Sequence, residues 1–299
     1  MDTGRENLWS MLGDLPDATK PVNVLESTTM IRGNYIVETL LLDLNGLEPV
    51  PAYYIKPVDQ KGPFPTILFN HSHGGFYDVG KDELLNGAPY MQVPPYAEVL
   101  TEMGYAVCCI DAWAFGERST ESELTIFKKM LWSARVMWGM MVFDNLRALD
   151  YLFTREDVDT SRIATLGMSM GGTMAWWCAA LDERIKVCID ICSLADYQSL
   201  IDTNGLSHHG IYYYVHGLLK HFTTADINSL IAPRPHLGLA GNLDVLTPAD
   251  GLDKIDQELS RVYSELGVPD AWRMVRCEVA HVETEQMRSE AVNFLKSFL

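Results

Sequence analysis

Residues 162–177, RIATLGMSMGGTMAWW, join an apolar run to a helical pattern through a single serine. The run before Ser169 predicts a buried strand, and the residues after it predict a helix. Gly167 and Gly171 complete the pattern Gly-x-Ser-x-Gly, whose small residues allow a sharp turn that lifts the hydroxyl above a sheet. Ser169 is therefore either a nucleophile on this turn or a small residue where a strand packs against a helix.

Short apolar strands and longer helical patterns alternate along the chain, which predicts an α/β fold with a doubly wound, mostly parallel sheet. Residues 35–57 precede this pattern and predict two antiparallel strands joined by an Asn-Gly turn. The predicted strands of the parallel part are 65–70, 105–110, 162–167, 185–190, 235–241 and 272–279. The predicted helices are 125–154, 170–182, 249–266 and 283–298.

The chain has no internal repeat and no low-complexity linker, so we expect one domain over residues 1–299. Residues 1–34 are expected to form an N-terminal arm. Residues 193–232 lack a clear strand pattern, and we interpret them as a small helical cap excursion over one end of the sheet. Ligands of open α/β sheets bind beyond the carboxyl ends of the strands, so functional residues are expected there.

Composition narrows the classes of partner. The net charge of −17 and the lack of a basic run argue against nucleic acid, and no apolar stretch has the length of a membrane span. No signal peptide is visible near the N-terminus, and the six cysteines fall in apolar runs, which is typical of reduced core thiols. We therefore expect a cytoplasmic location. The sequence leaves the oligomeric state open, and a homo-oligomer is one of the alternatives.

A nucleophilic serine needs a histidine base and an acid that orients it. Of eight histidines, only His281 both follows a predicted strand and lies C-terminal to an acid candidate, Asp244, which itself follows a strand. The order Ser169, Asp244, His281 is the order of the triad in α/β-hydrolases. The alternatives are that Asp244 is a turn or helix-cap residue and that His281 is a surface histidine.

The turn after the first core strand, FNHSHGGFYD at 69–78, is the candidate source of an oxyanion donor. We predict that the N–H of His73 and that of Met170 form the oxyanion hole, with Gly75 as the alternative to His73. His71 and His73 could also suggest a metal site. No third ligand has a suitable spacing, so no metal is expected.

From about residue 35 onward, the sequence resembles the α/β-hydrolase superfamily, and within it the dienelactone-hydrolase-like branch that includes acetyl xylan esterases and related carboxylesterases. The resemblance depends on PTILFNHSHGG, GYAVCCIDAWAFGER, DNLRALDYLFTREDVDTSRIATLGMSMGG, LIAPRPHLGLAGNLDVLTP and the His281 segment. It implies that Ser169, Asp244 and His281 form the catalytic triad. Dienelactone hydrolases proper use a cysteine nucleophile, so the serine points to ordinary esters. Ser72 stands where the usual His-Gly turn has glycine.

The resemblance also places the loop 111–118 beside the pocket, where Trp113 and Phe115 would line the acyl site. The aromatic run in the excursion, Tyr212, Tyr213 and Tyr214, is either a substrate wall or core packing. Both interpretations stay open at this point.

These features predict a serine carboxylesterase that hydrolyses small acyl esters of the acetyl type, with acetylated carbohydrates among the substrates. It would use an acyl-enzyme on Ser169 and need no cofactor. Two alternatives are a serine peptidase of the prolyl-oligopeptidase type and a non-catalytic binding protein with the same fold. Residues 1–64 are too few for the large extra domain of the former, and the latter would ordinarily lack a triad member.

Overall fold

The computed structural model describes residues 3–299 and contains one nine-stranded sheet. The prediction of a strand at each apolar run is confirmed, within a few residues at the ends. The strands are β1 Asn23–Arg32, β2 Tyr35–Asp43, β3 Val50–Pro57, β4 Phe64–Asn70, β5 Ala106–Ile110, β6 Val158–Met168, β7 Val187–Ile191, β8 His236–Gly241 and β9 Trp272–Cys277.

Ten α-helices lie within residues 3–299. They are α1 Thr3–Ser10, α2 Asp82–Asn86, α3 Tyr96–Glu102, α4 Glu123–Trp132, α5 Met137–Phe153, α6 Met170–Leu181, α7 Tyr197–Asp202, α8 Thr224–Ser229, α9 Ala249–Glu265 and α10 Glu285–Phe298. Short 3-10 turns connect several of them.

The sheet has the strand order β1-β2-β3-β5-β4-β6-β7-β8-β9. Strands β1, β2, β3 and β5 pair antiparallel, and every pair from β5 to β9 is parallel. Buried apolar side chains cover both faces of the sheet, with α5, α6 and α9 on one face and α3 and α10 on the other. The predicted doubly wound, mostly parallel α/β sheet with antiparallel N-terminal strands is confirmed.

Three local features differ from the sequence prediction. The helix predicted at 125–154 is divided into α4 and α5, because Ala134 between them adopts a left-handed φ of 57° that no α-helix accommodates. The Asn-Gly turn is a longer loop, in which Asn45 donates to Asp144 and accepts from the N–H groups of Leu47 and Glu48. Strand β1 and helices α2 and α3 were not predicted.

The predicted N-terminal arm contains α1 and β1, and its residues 1 and 2 lie outside the described part of the chain. The predicted excursion at 193–232 contains α7, α8 and three 3-10 turns. All six cysteines are unpaired, and five of them are buried. Within residues 3–299, no helix combines the length and the apolar character that crossing a membrane requires.

Candidate active site

Ser169 lies between β6 and α6 on a strained turn. Its φ of 58° and ψ of −123° fall outside the regions that side chains ordinarily adopt, and its N–H donates to the carbonyl oxygen of Ile191 at 2.8 Å. A Cβ on Gly171 would lie 1.9 Å from the carbonyl oxygen of Asn70, so only glycine lets the helix approach β4 this closely. Such strain is concentrated at functional sites, which favours the nucleophile interpretation over the packing one.

Asp244 and His281 come together from two loops at the same edge of the sheet. Asp244 lies in the turn after β8, and His281 lies in the loop between β9 and α10. The loops are joined by a backbone hydrogen bond from Leu243 to Val279 at 3.0 Å. His281 Nδ1 donates to Asp244 Oδ2 at 2.7 Å, and Asp244 Oδ1 accepts from the N–H of Leu246 at 2.9 Å. The buried carboxylate thus fixes the histidine ring and leaves Nε2 as its free nitrogen.

Ser169 and His281 line one cavity of about 330 Å³, together with both residues predicted for the oxyanion hole, His73 and Met170. All the predicted catalytic residues therefore line the same cavity except Asp244, which is buried behind His281. The other lining residues are Gly74, Gly75, Tyr90, Thr173, Cys192, Ser193, His208, His209, Gly210, Tyr212, Tyr213, Leu246 and Thr247.

The turn after β4 holds its two histidines in different ways. His71 is buried, its Nδ1 donates to the carbonyl oxygen of Ser72 at 2.9 Å, and its Nε2 accepts from the N–H of Ala112 at 3.1 Å. Burial lowers the pKa of His71, so the ring is neutral. Both ring nitrogens are thus occupied by structural hydrogen bonds, which explains this histidine without a metal.

The candidate oxyanion donors differ in whether they are free. The N–H of Gly75 donates to Nδ1 of His73 at 3.0 Å, so it is already engaged. None of the hydrogen bonds found in residues 3–299 uses the N–H of His73. This difference favours His73 over Gly75 as the partner of Met170, and the assignment stays a prediction.

Glu123 connects this turn to the excursion, a link that no sequence pattern indicated. Glu123 is the first residue of α4, and its Oε2 accepts from His73 Nε2 and from the Tyr77 hydroxyl, both at 3.1 Å. Its Oε1 accepts from the N–H of Ile211 at 2.8 Å. Burial alone would raise the pKa of Glu123, but these hydrogen bonds hold it below its usual value, so the group is ionised.

Glu83 holds the same turn from the other side and was also missed by sequence reasoning. Its Oε1 accepts from the N–H of Ser72 at 2.9 Å, and its Oε2 accepts from the Ser72 hydroxyl. The Tyr90 hydroxyl contacts the same Ser72 oxygen, and Tyr90 lines the cavity. Burial raises the pKa of Glu83 to about 7 despite these hydrogen bonds. Ser72, where the resemblance has glycine, therefore anchors the turn to α2.

The aromatic residues predicted to contact substrate are in three different places. Tyr212 and Tyr213 line the cavity, and Tyr212 stacks on His73 with ring centroids 5.5 Å apart. Tyr214 lies outside this lining, and its hydroxyl donates to the carbonyl oxygen of Leu206. The structure places Trp113 and Phe115 behind the cavity wall. Trp113 packs on Arg118 at 4.3 Å, and Phe115 packs against the rings of His71, His73 and Tyr77.

Cys192 lies beside the Asp244–His281 pair. Its Sγ and one ligand atom from each of Asp244 and His281 lie within 4.8 Å of one another. Burial raises the pKa of the Cys192 thiol, so the sulfur is protonated and is not a nucleophile. Because the carboxylate and Nδ1 are bonded to each other, we interpret this group as the support of the histidine rather than as a metal site.

Comparison with known proteins places this chain among esterases. Residues 37–229 match the model of the acetyl xylan esterase (AXE1) family. YtaP of Bacillus subtilis (strain 168), named only as a hydrolase, is 54% identical over 295 residues, which cover 99% of this chain and 98% of that protein.

Solved structures show the same fold. A glucuronoyl esterase from Solibacter usitatus has a TM-score of 0.71 at 17% identity, covering 99% of this chain and 92% of its own. An acetyl xylan esterase from Paenibacillus sp. R4 has a TM-score of 0.65 at 16% identity, covering 100% and 95%. At these identities the similarity establishes the α/β-hydrolase fold that the sequence predicted.

Proposed function

Because the chain belongs to the acetyl xylan esterase family, we propose that it removes acetyl groups from carbohydrates, with Ser169 as the nucleophile, His281 as the base and Asp244 as the orienting acid. The family confirms the predicted class, a hydrolase of carboxylic esters. One observation carries the residue assignment. His281, which is hydrogen-bonded to Asp244, lines the same cavity as a serine held at a left-handed φ.

The first half of the proposed reaction forms an acyl-enzyme. His281 Nε2 takes the proton of Ser169 as Oγ attacks the ester carbonyl carbon. The carboxylate of Asp244, 2.7 Å from Nδ1, keeps the proton on that nitrogen and stabilises the cation that forms. The N–H groups of Met170 and His73 stabilise the negative oxygen of the tetrahedral intermediate. The intermediate then collapses, and His281 returns the proton to the departing alcohol.

The second half releases the acid. A water molecule takes the place of the alcohol, and His281 removes its proton as it attacks the acyl carbon. The same two N–H groups stabilise the second tetrahedral intermediate, and collapse returns the proton to Ser169. Apart from the ester and the water molecule, each of these steps uses side chains and backbone groups of this chain.

The shape and lining of the cavity support a small acyl group. A volume of about 330 Å³ is at the small end for ligand sites, and Tyr212 and Tyr213 supply its aromatic wall. Ser193 and Thr173 add hydroxyl groups, which suit an alcohol that carries hydroxyls of its own. We also propose that the protein is located in the cytoplasm, because its six cysteines are unpaired.

Replacing Ser169 by alanine tests the assignment. We expect Ser169→Ala to lower kcat on 4-nitrophenyl acetate by several orders of magnitude and to abolish labelling by a fluorophosphonate. Ser161→Ala, on the exposed part of the same strand, is the matched control and should keep both. Activity and labelling that persist in Ser169→Ala would refute the nucleophile. Faster cleavage of aminoacyl amides than of acetyl esters would refute the proposed substrate class.

A further inference from the structure

Strand β1 is the edge of the sheet and has no covering element. All ten of its residues are exposed, on both faces, and they include Met30 at 60% and Ile31 at 67% exposure. Val24 and Leu25 are about half exposed, at 47% and 49%. Natural proteins rarely leave a long apolar edge strand open, because its unpaired N–H and C=O groups are a template for another strand.

The turn that follows β1 determines which of its backbone groups are free. Gly33, with φ of 59°, begins the two-residue turn that pairs Arg32 with Tyr35. In a hairpin of this length the flanking residues exchange hydrogen bonds, and the pattern alternates along the strand. Arg32, Met30 and Thr28 therefore bond to β2. Ser27, Thr29 and Ile31 direct their backbone groups to the open edge.

The charged residues of β1 favour one register for pairing with a second copy of the strand. Between the irregularity near Leu25 and the turn, the strand carries one acid, Glu26, and one base, Arg32. In an antiparallel two-fold pairing of β1 with a second copy, centring on Thr29 places each Glu26 opposite Arg32 of the other copy. Centring on Ser27 or Ile31, the other residues that face outward, does not oppose these two charges.

We propose that β1 pairs with β1 of a second copy of this chain about a two-fold axis through Thr29, which makes one continuous sheet across a dimer. Thr29 would pair with its symmetry mate, and Ser27 would pair with Ile31, through the free N–H and C=O groups. Glu26 and Arg32 fall in a pair without backbone hydrogen bonds, where side chains approach more closely. Arg32 Nη2 also donates to the carbonyl oxygen of Leu85 at 3.1 Å and to Asn86 Oδ1 at 3.0 Å, and the N–H groups of Nε and Nη1 remain for Glu26.

Light scattering coupled to size-exclusion chromatography tests the dimer on the full chain over a range of concentrations. We expect the mass of a dimer for the wild type. Glu26→Arg should raise the dissociation constant of the dimer at least tenfold, because the new arginine of each copy then faces Arg32 of the other copy. Adding Arg32→Glu to Glu26→Arg should restore the dimer, because the opposite charges face each other again.

Two more variants control the experiment. Asp270→Arg makes the same kind of charge reversal beside β9, at the other edge of the sheet, and should leave the dimer intact. Thr29→Pro removes an outward N–H without breaking a bond to β2 and should give a monomer with unchanged circular dichroism. A monomeric wild type, or a dimer that Glu26→Arg and Thr29→Pro leave unchanged, would overturn the proposal.

Discussion

The carboxyl group of Glu83, close to the cavity, has a pKa raised from 4.5 to about 7. It is buried behind the turn after β4 and accepts hydrogen bonds from both the N–H and the hydroxyl of Ser72. Burial disfavours the charged form, and these donors recover only part of the lost hydration. The group therefore changes charge near neutral pH, directly behind the proposed oxyanion donor His73.

The raised pKa of Glu83 predicts a pH-dependent stability. Because its pKa rises from 4.5 to about 7 on folding, the folded state binds the proton more tightly than the unfolded state. The stabilisation is fully present below pH 4.5 and is lost as the pH rises through 7, by up to about 3 kcal/mol. The side chain in Glu83→Gln stays neutral at every pH. The free energy of unfolding of this variant should therefore increase relative to that of the wild type as the pH rises from 5 to 8.

Urea unfolding of both proteins across this range measures the difference. Glu102→Gln, an exposed carboxyl at the end of α3, is the control and should track the wild type. A difference between Glu83→Gln and the wild type that is the same at pH 5 and pH 8 would contradict the raised pKa.

Elements with strong local patterns were predictable, and those defined by distant contacts were not. Strands β4 to β9 are apolar runs, and Asp244 and His281 each follow one of them, so their order along the chain was informative. Strand β1, at the edge of the sheet, mixes polar and apolar residues and has no buried face. Its sequence therefore lacks the apolar pattern of a buried strand. Glu83 and Glu123 are glutamates in short helices, and only contacts with residues more than ten positions away give them a role.

The same limit explains the aromatic residues. Trp113, Phe115 and Tyr212 are all apolar residues in loops near the strand ends, and the sequence could not tell which ring faces the cavity. The left-handed backbone of Ala114 and Gly116 turns this loop back under the turn after β4. Phe115 therefore packs behind His73, whereas Tyr212 covers it from the excursion.

Glu123 ties three elements together, so its replacement should slow the reaction without unfolding the chain. Glu123→Gln keeps the size of the side chain, but the amide cannot accept from His73, Tyr77 and the Ile211 N–H all at once. A small displacement of an oxyanion donor is costly, so we expect kcat for 4-nitrophenyl acetate to fall by up to about 10²-fold.

KM and the midpoint of thermal unfolding should change much less, because the cavity walls and the core are kept. Glu121→Gln, which removes only the surface ion pair with Lys129, should match the wild type in all three measurements. If Glu123→Gln is folded and has the wild-type kcat, the position of His73 does not depend on this carboxylate.

The whole molecule is strongly acidic, with 40 acidic and 23 basic residues and a net charge of −17. Such a charge creates a negative potential that repels anions over a distance set by the salt concentration. A neutral acetylated sugar approaches the cavity without this cost, whereas a carboxylate on the substrate would slow its approach. The charge therefore agrees with neutral esters as substrates.

Salt should consequently change kcat/KM for only one of two matched esters, neutral phenyl acetate and its anionic relative 4-acetoxybenzoate. Raising the ionic strength from about 0.01 M to about 0.15 M shortens the screening length from roughly 30 Å to roughly 8 Å. The kcat/KM for 4-acetoxybenzoate should rise several-fold, because the repulsion is screened, while that for phenyl acetate stays nearly constant. Since each ester is compared with itself, the difference in leaving group does not enter. A kcat/KM for the anion that falls with salt would mean that the cavity attracts negative charge despite the acidity of the chain, and acidic sugars would then become the better candidates.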